Sequence, residues 1–174
     1  MSTSVLPTAL TVRTPLLEEH GWKGICIDPF PTNMESRTCT MFKEVVDSEA
    51  GRTVEFHNPG KFLGGIVGYA GFWVKEEEKG KENTITLTTT TLADILDRAK
   101  APSFINYMSV DIEGAEYDAL KAFPFDRYTI GALSIEHNNI EERRLKIRSL
   151  LEAKGYMLDW SIRDQDWYIF PSRV

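Results

Sequence analysis

The 174-residue chain is short of cationic charge: 20 lysines and arginines stand against 26 aspartates and glutamates, for a net charge of −6. Nucleic-acid backbones and anionic membranes are gripped mainly through Lys and Arg, so neither a nucleic-acid nor a membrane partner is expected. Long apolar runs are also lacking. Without 18 consecutive apolar residues, the sequence offers no membrane-spanning segment. The first fifteen residues, "MSTSVLPTALTVRTP", hold no basic stretch ahead of an apolar one and do not read as a secretory signal; they also contain no glycine. Only Cys26 and Cys39 supply sulfur chemistry, and no CxxC pair occurs, which excludes a disulfide-dense scaffold and a cysteine zinc cage. Cys26 lies in the apolar run "GICID", where a thiol serves as core filling, so a soluble, cytoplasmic protein is expected, with one disulfide left open.

The hydrophobic content of 42% and the length suit one globular domain over residues 1–174, with an atypical segment at 1–15. "TPLLEEHGWKGICIDPFP" reads as a short helix ending at Gly21 and a buried strand at 24–28, stopped by Pro29 and Pro31. "MFKEVV" and "TVEFH" read as short strands that pair as a hairpin or follow one another in a sheet. "GGIVGYAG" and the charge run after it read as a loop, part of a ligand lid, because no helix start follows the glycines. "ITLTTTTLADILDRAK" gives a β-rich segment and a helix capped by Thr90 or Thr91. A strand at 106–111, a helix from about Gly114 to Ala122, a strand ending at Glu136, a helix presenting Ile140, Ile147, Leu150 and Leu151, and a closing antiparallel pair complete the chain. This alternation predicts an α/β fold with a mostly parallel sheet and a C-terminal antiparallel hairpin.

In open α/β sheets ligands sit outside the carboxyl ends of the parallel strands. Three acids fall at such ends: Asp28, Asp111 and Glu136, the last followed by His137 and Asn138. A carboxylate in the position of Asp28 suits ribose hydroxyls, and Phe30 suits stacking on a base; a strand-terminating acid paired with a surface cation is the plain alternative. Near a helix start, Glu113 and Glu116 fit the macrodipole, whereas Asp111 belongs to the strand end and faces the crevice. His137 is placed to act as a general base, with a structural imidazole as the alternative. Asp111, Glu136 and Asn138 raise the reading of a hard-cation site, but no metal is assigned.

"GWKGICIDPFP", "TTTLADIL", "NYMSVDIEGAEYDALKAFPFD" and "ALSIEHN" resemble, in order and spacing, the FkbM family of S-adenosylmethionine-dependent methyltransferases, from about Leu16 to the C-terminus. The resemblance implies a Rossmann-like methyltransferase fold, S-adenosyl-L-methionine as cofactor, and O-methyl transfer to a small-molecule or glycan-type hydroxyl. It further implies that Asp28 and Phe30 bind the nucleoside and that Asp111 lies near the methionine portion and the acceptor. Glu136 and His137 would line the acceptor side. Members of the family open with a strand and a D-x-G-A-x-x-G loop. Neither is expected in this chain, although "ALTV" is a candidate strand, and an upstream start of the reading frame would supply both. The alternative is a truncated or degenerate relative that binds a ligand or partner without catalysis, with a homodimer expected from the sheet edges a missing central strand would leave.

Overall fold

Short β-branched runs and four amphipathic segments are the raw material of the fold, and the computed structural model describes residues 3–7, 13–58, 64–69 and 83–171. In chain order the elements are β1 (Thr3–Pro7), α1 (Arg13–Glu19), β2 (Lys23–Ile27), β3 (Thr40–Phe42), β4 (Val45–Val46), β5 (Thr53–His57), β6 (Gly65–Ile66) and β7 (Thr84–Thr90). There follow α2 (Leu92–Arg98), β8 (Phe104–Val110), α3 (Glu116–Lys121), β9 (Thr129–Glu136), α4 (Glu141–Ala153), β10 (Met157–Ile162) and β11 (Gln165–Ile169).

Seven strands form one sheet in the order β10-β11-β9-β8-β1-β2-β3, and four form a second in the order β4-β7-β5-β6. In the larger sheet β1 runs parallel to both β2 and β8, with Val5 opposite Ile25 on one side and Met108 on the other. β2 with β3 and β8 with β9 are also parallel, while β11 is antiparallel to β9 and to β10. The expected C-terminal hairpin is therefore present, but the fold as a whole is a mixed α/β structure. In the smaller sheet β7 takes β4 in parallel and β5 antiparallel, and β5 takes β6 antiparallel.

Two expectations are corrected here. "MFKEVV" is not one strand paired with "TVEFH": it divides at Lys43 and Glu44 into β3 and β4, which belong to different sheets. The seven-residue β7 offers an edge on each side, so β4 and β5 pair with it rather than with each other. Nor is the central strand missing. Thr3–Pro7 occupies that position between β2 and β8, so the open edges from which a homodimer was expected are filled. The candidate strand "ALTV" lies outside the described residues.

The core forms where the buried strands meet the helices. Ile105, Met108, Ile130 and Leu133 from β8 and β9 are closed off from water together with Ile147 and Leu151 of α4. Each such side chain stabilises the fold by about 1.5–3 kcal/mol through removal of apolar area from water. Helix α2 begins as its sequence suggests: Thr91 is the N-cap, and its Oγ1 accepts from the Asp94 N–H at 3.1 Å.

Cys26 is fully buried, but it is not a free thiol; it is bonded to Cys39 and so ties β2 to the segment entering β3. Beside the disulfide, Arg37 pairs with Glu18 at 2.8 Å, both side chains almost shielded from solvent. Because disulfides persist in oxidising surroundings, these cysteines no longer argue for a reducing compartment. No helix among the described residues is long and apolar enough to cross a membrane.

Candidate functional site

Parallel pairing brings the strand-end acids onto one edge of the larger sheet. Asp28 directly follows β2, Asp111 directly follows β8, and Glu136 is the last residue of β9. With β1 between β2 and β8, Asp28 and Asp111 stand on either side of the carboxyl end of β1. Asp28 is half-buried, and its Oδ1 accepts from the Phe30 N–H at 2.6 Å. Burial pushes the Asp28 carboxyl up, against the pull of that N–H. Phe30 keeps 37% of its surface exposed, with its ring centroid 5.7 Å from that of Phe56, a wall that the sequence reading did not foresee.

After β8 the chain turns sharply, with Glu113 at φ +54° and Gly114 at φ +115°. A helix cannot start through such backbone angles, which is why α3 begins at Glu116 rather than at Gly114. The turn carries the Glu113 carboxylate back toward the sheet edge. Asp111, Glu113 and Glu136 each offer an oxygen there, the three oxygens lying within 4.8 Å of one another. Burial, the facing Glu136, and the charges of Glu113 and Glu116 push the Asp111 carboxyl well above the usual carboxylate range.

Glu113 joins the strand-end acids rather than serving the helix start, whereas Glu116 does lie in the first turn of α3. The Glu116 side chain is wholly buried, and its Oε1 accepts from the Ile112 and Gly114 N–H groups at 3.0 and 2.9 Å, which closes the turn. Burial pushes its carboxyl up despite those donors and the Arg143 guanidinium, 3.8 Å away.

Arg143, in the first turn of α4, is the clamp of this region. It donates to Asn138 Oδ1 at 2.6 Å and to the Tyr69 carbonyl at 3.4 Å. The segment Gly64–Tyr69 from the glycine-rich loop thus packs on the acid-bearing turn; Gly71 lies outside the described residues. Only a nonlocal contact between β6, α4 and the turn reveals this role, and periodicity along α4 carries no trace of it.

His137 follows Glu136, but its ring turns into the fold. Its Nδ1 accepts from the Asn139 N–H at 3.2 Å, and Nε2 lies 3.6 Å from Asp166 Oδ1, which Arg144 holds from the other side at 3.1 Å. Burial pushes the imidazole below its ordinary value of 6.5, with Asp166 opposing. At a pH below that value, an unfolded chain takes up a proton that the folded site resists, so the contribution of this imidazole to stability falls as pH drops from about 7 toward 5. Asp166 acts in the same direction in stronger acid: burial works against its ionisation, but Arg144 and Ser161 prevail and hold its carboxyl below 3.8, so its contribution is lost only as pH falls below that ordinary value. The melting-temperature advantage of the native protein over His137→Gln is expected to shrink as pH falls from about 7.5 to 5; taking the difference cancels the raised carboxyls of Asp28, Asp111 and Glu116, which take up protons on folding and favour the fold as pH drops. A difference that stays constant over that range would contradict the buried neutral imidazole.

A mixed α/β fold with acids gathered at the carboxyl ends of neighbouring parallel strands places a candidate ligand site outside those strand ends. The family is more specific: the chain belongs to the methyltransferase FkbM domain family, whose model matches residues 9–158 and so contains Asp28, the turn at 111–116 and Glu136. No curated protein and no solved structure matches the chain.

Proposed function

We propose that the chain is an S-adenosylmethionine-dependent methyltransferase acting on a hydroxyl of a small-molecule or glycan-type acceptor. The observation that carries this reading is the placement of Asp28 and Asp111 on either side of the carboxyl end of β1. From β1 the chain builds β2 and β3 on one side and later β8 and β9 on the other, which is the strand reversal at which Rossmann-like sheets bind nucleotides.

The described residues fit the nucleoside end of the cofactor. Asp28 has one oxygen engaged with the Phe30 N–H and a second available to ribose hydroxyls, and Phe30 is exposed beside them. Segment 8–12, which follows β1 in the sequence, lies outside the described residues. When bound, S-adenosylmethionine supplies an electrophilic methyl group on a sulfonium sulfur. The protein's share is then chiefly alignment: Asp111 or Glu136 accepts from the acceptor hydroxyl, the Gly64–Tyr69 segment covers the adjoining turn, and the His137 backbone N–H, donating to the Asp164 carbonyl at 2.8 Å, fixes the end of β9 against β11. The ligand-binding alternative without catalysis draws on one observation, the absence of glycine from residues 1–15. A homodimer would use one of the strands that end the larger sheet among the described residues, β3 or β10.

Calorimetric titration of the full chain with S-adenosylhomocysteine is expected to show saturable binding at one site per chain. Absence of both heat and thermal shift at millimolar ligand would remove the methyltransferase reading for this chain. Binding without methyl transfer to any hydroxyl compound would favour the alternative.

A further inference from the structure

The three carboxylates at the ends of β8 and β9 have a chemistry that methyl transfer alone does not require. We propose that Asp111, Glu113 and Glu136 form a binding site for a hard divalent cation of the magnesium or manganese class. An all-oxygen donor set selects such ions over zinc or copper, which favour nitrogen and sulfur. Oxygens that share one ion at about 2.1–2.4 Å stand at most about 4.2–4.8 Å apart, and the three oxygens here already lie within 4.8 Å of one another.

The second observation is the state of the two strand-end carboxylates. Asp111 Oδ1 and Glu136 Oε2 are sealed from solvent and have no hydrogen-bond partner among the described residues. Buried polar atoms are almost always satisfied, and two carboxylates that face each other cannot satisfy one another without a proton or a cation between them. No lysine or arginine among the described residues pairs with either. Glu116, wholly buried behind them, adds a further negative field at Asp111. The Arg143 guanidinium lies 3.8 Å from Glu116 and donates to Asn138 and the Tyr69 carbonyl.

The donor set differs from the one that strand order suggests. Asn138 Oδ1 accepts from Arg143 at 2.6 Å and faces that partner, while the positive φ of Glu113 delivers a third carboxylate in its place. A cation at this edge would offer open coordination positions to an oxygen-bearing acceptor beside Asp111. Cation binding itself stands apart from the methyltransferase reading, since neither ribose nor sulfonium takes part in it.

The test is a manganese titration of the full chain without nucleoside ligand, followed by electron paramagnetic resonance of free Mn2+ and by the melting temperature. One saturable site per chain, a raised melting temperature and displacement by excess magnesium are expected. Asp111→Asn and Glu136→Gln, both near-isosteric, should each lower affinity at least about tenfold, and Glu113→Gln serves as a third probe on the turn rather than on a strand. Asp159→Asn, an exposed change on β10, should leave binding unaltered. Absence of Mn2+ binding at millimolar concentration would overturn the proposal, and so would binding indifferent to all three site variants; the facing carboxylates would then share a proton. Cation binding in a chain that ignores S-adenosylhomocysteine would uphold this site and remove the cofactor reading.

Discussion

Asp28→Ala is expected to weaken S-adenosylhomocysteine binding by about ten- to hundredfold. The reason lies in the geometry of a single carboxylate. One oxygen is engaged with the Phe30 N–H, which fixes the side chain just past the end of β2 and leaves the other oxygen for the ribose in the proposed complex. Hydrogen bonds to a charged group contribute about 1.5–3 kcal/mol, and that range corresponds to about one to two decades of affinity. Asp28→Asn separates the two duties of the residue: the amide oxygen still accepts from Phe30 and preserves the turn, but the charge and part of the accepting capacity toward a diol are gone. An intermediate loss is therefore expected for Asn, with the melting temperature nearly unchanged. Equal affinity in the native protein and the alanine variant would remove the ribose assignment, while leaving the acid cluster on the far side of β1 untouched.

Gly114→Ala is the substitution expected to damage the fold around the site most. Two costs combine. The φ of +115° is a conformation that side-chain-bearing residues rarely adopt, and a Cβ there would stand 2.5 Å from the Tyr69 carbonyl oxygen and 2.8 Å from its carbon. Backbone atoms cannot swing aside as the end of a flexible side chain can. Either the turn at 111–116 opens or the Gly64–Tyr69 segment lifts from it. Gly51→Ala provides the comparison, because Gly51 also has a positive φ, +78°, but nothing lies within 4 Å of where its Cβ would stand. Strain of this kind costs about 1–3 kcal/mol, or about 2–10 °C of melting temperature for a chain of this size. Denaturant titration should show Gly114→Ala losing distinctly more stability than Gly51→Ala. If the two losses are equal, the approach of Tyr69 contributes nothing to the stability of the turn.

Much of this site can be read from sequence because its parts are local. An apolar strand followed by an acid identifies Asp28, Asp111 and Glu136 as strand-end carboxylates, and the D-x-E-G-x-E segment identifies the family. Thr91 caps α2 because a threonine three residues before Asp94 can reach its N–H, a relation confined to one turn of chain. The helix face of Ile147 and Leu151 follows equally from spacing.

Other features escaped because their causes are nonlocal. The residues Thr3–Pro7 have no pattern that marks them as a central strand; they become one because β2 and β8 each present an unpaired edge to them. Cys26 looked like a simple core thiol, since nothing in the spacing of 13 residues says that Cys39 returns to it. Glu113 and Glu116 looked alike, two acids before a helix. Opposite fates follow from backbone angles: the turn through Glu113 and Gly114 sends one carboxylate to Asp111 and folds the other onto the Ile112 and Gly114 N–H groups.

Sequence alone thus determined the family, the alternation of strands and helices, and which acids end strands, because these depend on neighbours within a few residues. Tertiary structure decided which of those acids share a site, since strand order and the course of a positive-φ turn are set by contacts between segments far apart in the chain. Asp111 and Glu136 are 25 residues apart and meet because β8 and β9 pair in parallel, with Val110 opposite Ile135.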